Sequence, residues 1–178
     1  RRQEVESILP SLVAGTESLA GRGVTRAVSL APGRPREAYA AAERAGCRLW
    51  AGPARDLVAA ADAALVASGT ATLETGLEGT PLAVVYRTGA LNWYLDRRVV
   101  SLRTIGLVNI AAGGSRVPEL LQDEASPRRI AEVAERLLFD PKERAEQQAY
   151  LEGLAEKLGG AGSAARVARE VLRVAARA

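Results

Sequence analysis

The sequence predicts an α/β protein, a doubly wound, Rossmann-like parallel sheet with a helical carboxyl-terminal tail. Short apolar runs suited to buried strands alternate with helix-patterned segments through the first half of the chain. Apolar residues make up 48% of the chain and aromatics only 4%, so the core is built from Ala, Val and Leu, as in a layered α/β protein rather than a β-sandwich. Such alternation favours a parallel sheet covered on both faces, with right-handed crossovers. At 178 residues the chain is long enough for one full domain with a sizeable core.

Val5, Ile8, Leu9, Leu12 and Val13 recur at helical spacing, which predicts an amphipathic helix over 2–20, broken or kinked near Pro10. Gly21–Gly23 turns it into a strand over 26–31. A helix over 36–45 follows, capped by Gly46. The run 47–52 reads as a second strand, 54–60 as a short helix and Ala63–Ala67 as a third strand. Two further strands are expected, Leu82–Tyr86 with its alternating β-branched residues and Ile105–Asn109. From Pro118 onward the reading is helical throughout. Ser126-Pro127 and Asp140-Pro141 each place a capping side chain before a proline at the first helical position. A Gly-rich break at 159–163 precedes a basic amphipathic helix, read as a docking helix. The domain reading is 1–140 for the sheet domain and 141–178 for helices that pack on it or on a partner domain.

Composition excludes several chemistries. The chain has no His and one cysteine, Cys47, which removes internal disulfides, multi-cysteine metal sites and every His-based triad. The net charge of +3 arises from 24 basic and 21 acidic residues; it favours anionic partners without implying nucleic acid. No apolar run approaches the length of a membrane span, and the start lacks the apolar core of a signal peptide, so a cytoplasmic location is expected. The chain has no Met and begins in a helix-like segment, which reads as a fragment lacking its leading strand.

The strongest local signal is Ser68-Gly69-Thr70 with Glu74, between a strand and a helix. The first N–H groups of that helix and its positive dipole end point outward at the carboxyl end of the strand, where a diphosphate is attracted. Gly69 lets the backbone approach closely and the two hydroxyls add donors. Glu74, one turn on from Thr70, can accept from ribose hydroxyls. The plainer reading is that Ser and Thr cap helices and an early acid suits the dipole. Gly52-Pro53 follows another strand, so its loop should emerge at the same edge. Arg87 and Asn109, at the ends of the fourth and fifth expected strands, would reach it too, the arginine toward phosphate and the asparagine toward a sugar hydroxyl. Trp93 and Tyr94 with Arg97 and Arg98 fall on a helix that could meet an anionic lipid or simply pack on the sheet.

These pieces stand in an order that resembles bacterial lipid-A-disaccharide synthase. They are RRQEVESILP at 1–10, DAALVASGTATLE at 62–74, PLAVVYR at 81–87, WYLDRRVV at 93–100, GLVNIAAG at 106–113 and VPELLQDEASP at 117–127. The resemblance implies one half of a GT-B glycosyltransferase, the carboxyl-terminal domain that holds the sugar nucleotide. The implied reaction moves 2,3-diacylglucosamine from UDP to the 6-hydroxyl of 2,3-diacylglucosamine 1-phosphate with inversion, in lipid A biosynthesis, and calls for no metal and no redox cofactor. It implies that Ser68, Gly69 and Thr70 hold the UDP diphosphate, Glu74 the ribose and the Gly52 loop the uracil side. Arg1 would face the nucleotide across a cleft, Tyr86, Arg87 and Asn109 would be secondary contacts, and Trp93, Tyr94, Arg97 and Arg98 would lie on the lipid side. Peripheral attachment to the cytoplasmic face of the inner membrane is implied, and homo-oligomerisation is left open. The general base would lie in an amino-terminal domain outside this chain, so the chain alone is expected to form the UDP-sugar half-site without catalysing transfer. Another GT-B enzyme, such as a UDP-N-acetylglucosamine epimerase or an N-acetylglucosaminyltransferase, and a non-catalytic nucleotide-binding module are the alternatives.

Overall fold

Leu82–Tyr86 is the strand around which the structure is organised. Leu82, Ala83, Val84 and Val85 are all completely buried, and alternate side chains enter two different cores. The computed structural model describes residues 2–88, 104–159 and 162–176.

Five parallel strands occur among the described residues: β1 (Ala27–Ser29), β2 (Arg48–Trp50), β3 (Ala64–Ala67), β4 (Leu82–Tyr86) and β5 (Glu119–Leu121). β1 pairs with β2, and β3-β4-β5 form a separate sheet with β4 in the middle. In order, the helices are α1 (Arg2–Gly15), α2 (Glu17–Ala20), α3 (Ala40–Arg44), preceded by a 3₁₀ turn at Arg36–Tyr39, α4 (Ala54–Ala59), α5 (Thr70–Leu77), α6 (Leu107–Ala112), α7 (Pro127–Phe139), α8 (Pro141–Lys157) and α9 (Ser163–Ala175). The α/β, Rossmann-like class is as expected from the alternation of elements.

On one face of β4, Ala83 and Val85 pack with Ile8 of α1, Leu120 of β5 and Ile130, Val133 and Leu137 of α7. On the other, Leu82 and Val84 pack with Val108 and Ala112 of α6 and Leu151 and Leu154 of α8. Covering both faces is what lets β4 be apolar at successive positions. α8 is further tied in by Gln147, fully buried, whose side-chain oxygen accepts from Leu82 N–H. Arg26, just before β1, donates to the Val13 carbonyl at 3.3 Å and also to the Ala45 carbonyl, joining the β1–β2 pair to α1 and α3.

Three expectations are corrected. Residues 105–109 do not form a strand: α6 begins at Leu107 and carries Asn109 on its buried side. Residues 119–121 are not helical but form β5, paired in register with Val84, Val85 and Tyr86. Pro10 lies inside α1 without ending it; the helix gives way at Thr16 instead. The proline-started helices fall where the sequence places them. Ser126 accepts from Arg129 N–H, and Asp140 from Lys142 and Glu143 N–H.

Candidate functional site

β3 and β4 run parallel and side by side, and the connections leaving their carboxyl ends form the centre of the candidate site; the Gly52 loop leaves β2, in the separate two-stranded sheet. β3 ends at Ala67, paired with Val85, and Ser68 N–H continues the ladder onto the Val85 carbonyl at 3.1 Å. Gly69 then turns the chain into α5 with φ 151° and ψ −165°, a region essentially restricted to glycine. A β-carbon there would meet none of the described residues within 4 Å, so backbone geometry rather than crowding calls for glycine.

Gly69, the residue before α5, has no side chain to cap its amino terminus, no capping side-chain hydrogen bond is made there among the described residues, and no acidic residue lies in the first turn. The hydroxyls of Thr72 and Thr75 turn back onto the carbonyls of Gly69 and Ala71, at 2.8 and 2.7 Å. Thr70 and Glu74 are exposed, four residues apart and therefore on one side of the helix. Thr70 at the first position and Glu74 one turn on thus present an exposed hydroxyl and carboxylate near the positive end of the helix dipole.

The Gly52 loop is exposed and held by Trp50. The indole N–H donates to the Pro53 carbonyl at 2.8 Å, and a β-carbon on Gly52 would come within 2.7 Å of the ring. At the end of β4, Tyr86 is half-buried, while Arg87 is exposed and donates to Ser11 of α1 at 3.4 Å. Arg1, Trp93, Tyr94, Arg97 and Arg98 lie outside the described residues.

Asn109 occupies a different position from the strand end expected of it. It is 1% exposed, and its amide donates to the Val117 carbonyl and to Glu119 Oε1, both at 2.8 Å. Its oxygen accepts from Val117 N–H at 3.1 Å and from the Tyr150 hydroxyl at 3.4 Å. These bonds commit the amide to holding the loop after α6 and a carboxylate on β5.

That carboxylate is one that sequence reasoning missed. Glu119 also accepts from the N–H groups of Ile105 at 2.8 Å and Gly106 at 3.1 Å, and from the Thr104 hydroxyl. It therefore caps α6 from a distant strand. Three residues on, Gln122 has an unusual φ of 51°, and its side-chain amide pairs with both backbone groups of Thr88, at 3.3 and 3.2 Å. The only sequence signals were an acid and an amide bracketing the apolar pair Leu120-Leu121.

Burial holds the Tyr150 phenol above its ordinary value of 10.0, and the Glu119 charge adds to the shift. The folded state thus keeps this proton after the unfolded chain has lost it, so stability falls as pH rises above 10. Tyr150→Phe should show a smaller alkaline loss of stability, measured by denaturant unfolding across pH 9–11.

Residues 1–170 match the family described as lipid-A-disaccharide synthetase. The chain belongs to this family. Over 98% of its length it is 43% identical to the lipid-A-disaccharide synthase of Anaeromyxobacter dehalogenans and 40% identical to that of Myxococcus xanthus. It is 48% identical to the Syntrophus aciditrophicus enzyme over 75% of the chain. The chain spans 47% of the length of the first two synthases and 35% of the third, so about half or less of each lipid-A-disaccharide synthase is represented here. Among the described residues, no helix is long and apolar enough to cross a membrane.

Proposed function

We propose that this chain forms the UDP-sugar half-site of a GT-B glycosyltransferase that makes the lipid A disaccharide. In the whole enzyme the acceptor 6-hydroxyl oxygen of 2,3-diacylglucosamine 1-phosphate attacks the anomeric carbon of UDP-2,3-diacylglucosamine. The bond to UDP breaks with inversion, and the hydroxyl proton passes to a base outside this chain. The departing diphosphate gains charge, and the α5 amino terminus is placed to stabilise it.

The observation carrying this reading is the uncapped amino terminus of α5, entered through Gly69 at the carboxyl edge of β3, in a chain of the lipid-A-disaccharide synthase family. Ser68, Gly69 and Thr70 are assigned to the diphosphate and Glu74 to the ribose. The Gly52 loop, under Trp50, is assigned to the base, with Arg87 and Tyr86 further out. Arg1, and the lipid-side group Trp93 to Arg98 with peripheral contact at the cytoplasmic face of the inner membrane, belong to the same proposal on their sequence alone. Helices 141–178 are proposed to serve this domain and a partner domain: α8 supplies Leu151 and Leu154 to the core, whereas α9 exposes Val167, Val171 and Leu172.

Calorimetric titration with UDP tests the reading. Wild-type chain should bind, and a Ser68→Ala, Glu74→Ala double variant should bind at least about tenfold more weakly, as expected for lost hydrogen bonds to charged or ribose groups. Equal affinity in the two proteins would remove the assignment of this turn.

A further inference from the structure

Glu119 is joined to the turn 68–70 through a single peptide group. The Gly106 N–H donates to Glu119 Oε1 at 3.1 Å, and the carbonyl of the same peptide, that of Ile105, faces Ser68 Oγ at 3.5 Å. In a trans peptide these two groups point in opposite directions, so fixing the N–H fixes the carbonyl. Glu119 Oε2 holds the preceding N–H, that of Ile105, at 2.8 Å, and Asn109 steadies Oε1 from the other side at 2.8 Å. Gly106 keeps this approach uncrowded: a β-carbon there would lie 3.0 Å from both Glu119 Oε1 and Val84 Cγ2.

We propose that Glu119 is a positioning residue for the nucleotide site: by locking the Ile105–Gly106 peptide it aims the Ser68 hydroxyl within the turn before α5. The inference rests on the UDP reading of that turn and adds a residue that touches no substrate. Without nucleotide the Ile105 carbonyl takes the Ser68 proton at 3.5 Å, a long contact that is readily exchanged for a phosphate oxygen. A carboxylate suits the task because it only accepts, and three donors besides the Gly106 N–H converge on it. In Glu119→Gln one oxygen becomes an NH₂ facing those donors, and the peptide is released.

A double-mutant cycle on UDP affinity, run with the 178-residue chain under conditions where every variant is folded, tests this. Glu119→Gln should weaken UDP binding about tenfold in the wild-type background but less than about twofold in the Ser68→Ala background, because the hydroxyl it acts through is then gone. Equal losses in both backgrounds, which a merely structural role would give, overturn the proposal, as does no loss in either. Carbonyl and amide NMR shifts separate this from a failure of the UDP reading. If wild type ignores UDP but Glu119→Gln still shifts Ile105 C′ together with the Ser68 amide, the nucleotide assignment falls and the positioning link stands. If Ser68 does not respond, the link itself is refuted.

Discussion

Gly69→Ala is expected to weaken UDP binding at least about tenfold and to destabilise the fold by about 1–3 kcal/mol, the usual cost of forcing a non-glycine residue into a glycine-only region. The added methyl meets none of the described residues within 4 Å, so the effect is assigned to φ 151° rather than to crowding. The chain can relieve that strain only by rotating the Gly69 peptides, which re-aims the amide groups that lead into α5. Gly79→Ala is the control. Gly79 also has a positive φ, 73°, and open space around it, but it lies in the turn after α5. There alanine should cost about 1 kcal/mol and leave UDP affinity unchanged. Urea unfolding and calorimetry on both variants check the contrast.

Asn109→Ala should produce the largest loss of stability among the site residues, roughly 2–5 kcal/mol. The substitution strips a partner from Val117 N–H and from Val117 C=O inside a region where Asn109 itself is 1% exposed, and it removes one donor from Glu119. Asn109→Asp keeps the acceptor for Val117 N–H but sets a second carboxylate where the amide nitrogen lay, 2.8 Å from Glu119 Oε1 and from the Val117 carbonyl. It should be at least as damaging at pH 7. Acidification should restore part of its stability relative to wild type, because the protonated acid regains a donor, while the alanine variant gains nothing in this way. Denaturant midpoints from pH 4 to 8 distinguish the two.

How much of this was legible depended on whether the deciding interaction was local. β4 could be read from its own residues, since both of its faces are buried and the β-branched pair Val84-Val85 sits at its centre. The caps Ser126 and Asp140 act within three residues and were equally plain. The Ser68-Gly69-Thr70 turn was visible for the same reason: the glycine and the neighbouring hydroxyls share one short segment. The misread elements are those decided at a distance. Ile105–Asn109 is a short apolar run whose period does not separate strand from helix, and its helix is capped by a carboxylate ten or more residues away. Residues 119–121 are helix formers by propensity, yet pairing with β4 overrides that preference. Glu119 and Gln122 draw their roles from backbone groups at 104–106 and 88, so nothing next to them in sequence marks them.

Backbone amide NMR during UDP titration tests most directly whether the turn at the start of α5 holds the nucleotide. The amides of Ser68, Gly69, Thr70 and Ala71 should move first and furthest, with smaller shifts at Gly52 and Glu74. Saturable shifts centred on another edge of the sheet, or on α9, with the α5 amides unmoved, would contradict it.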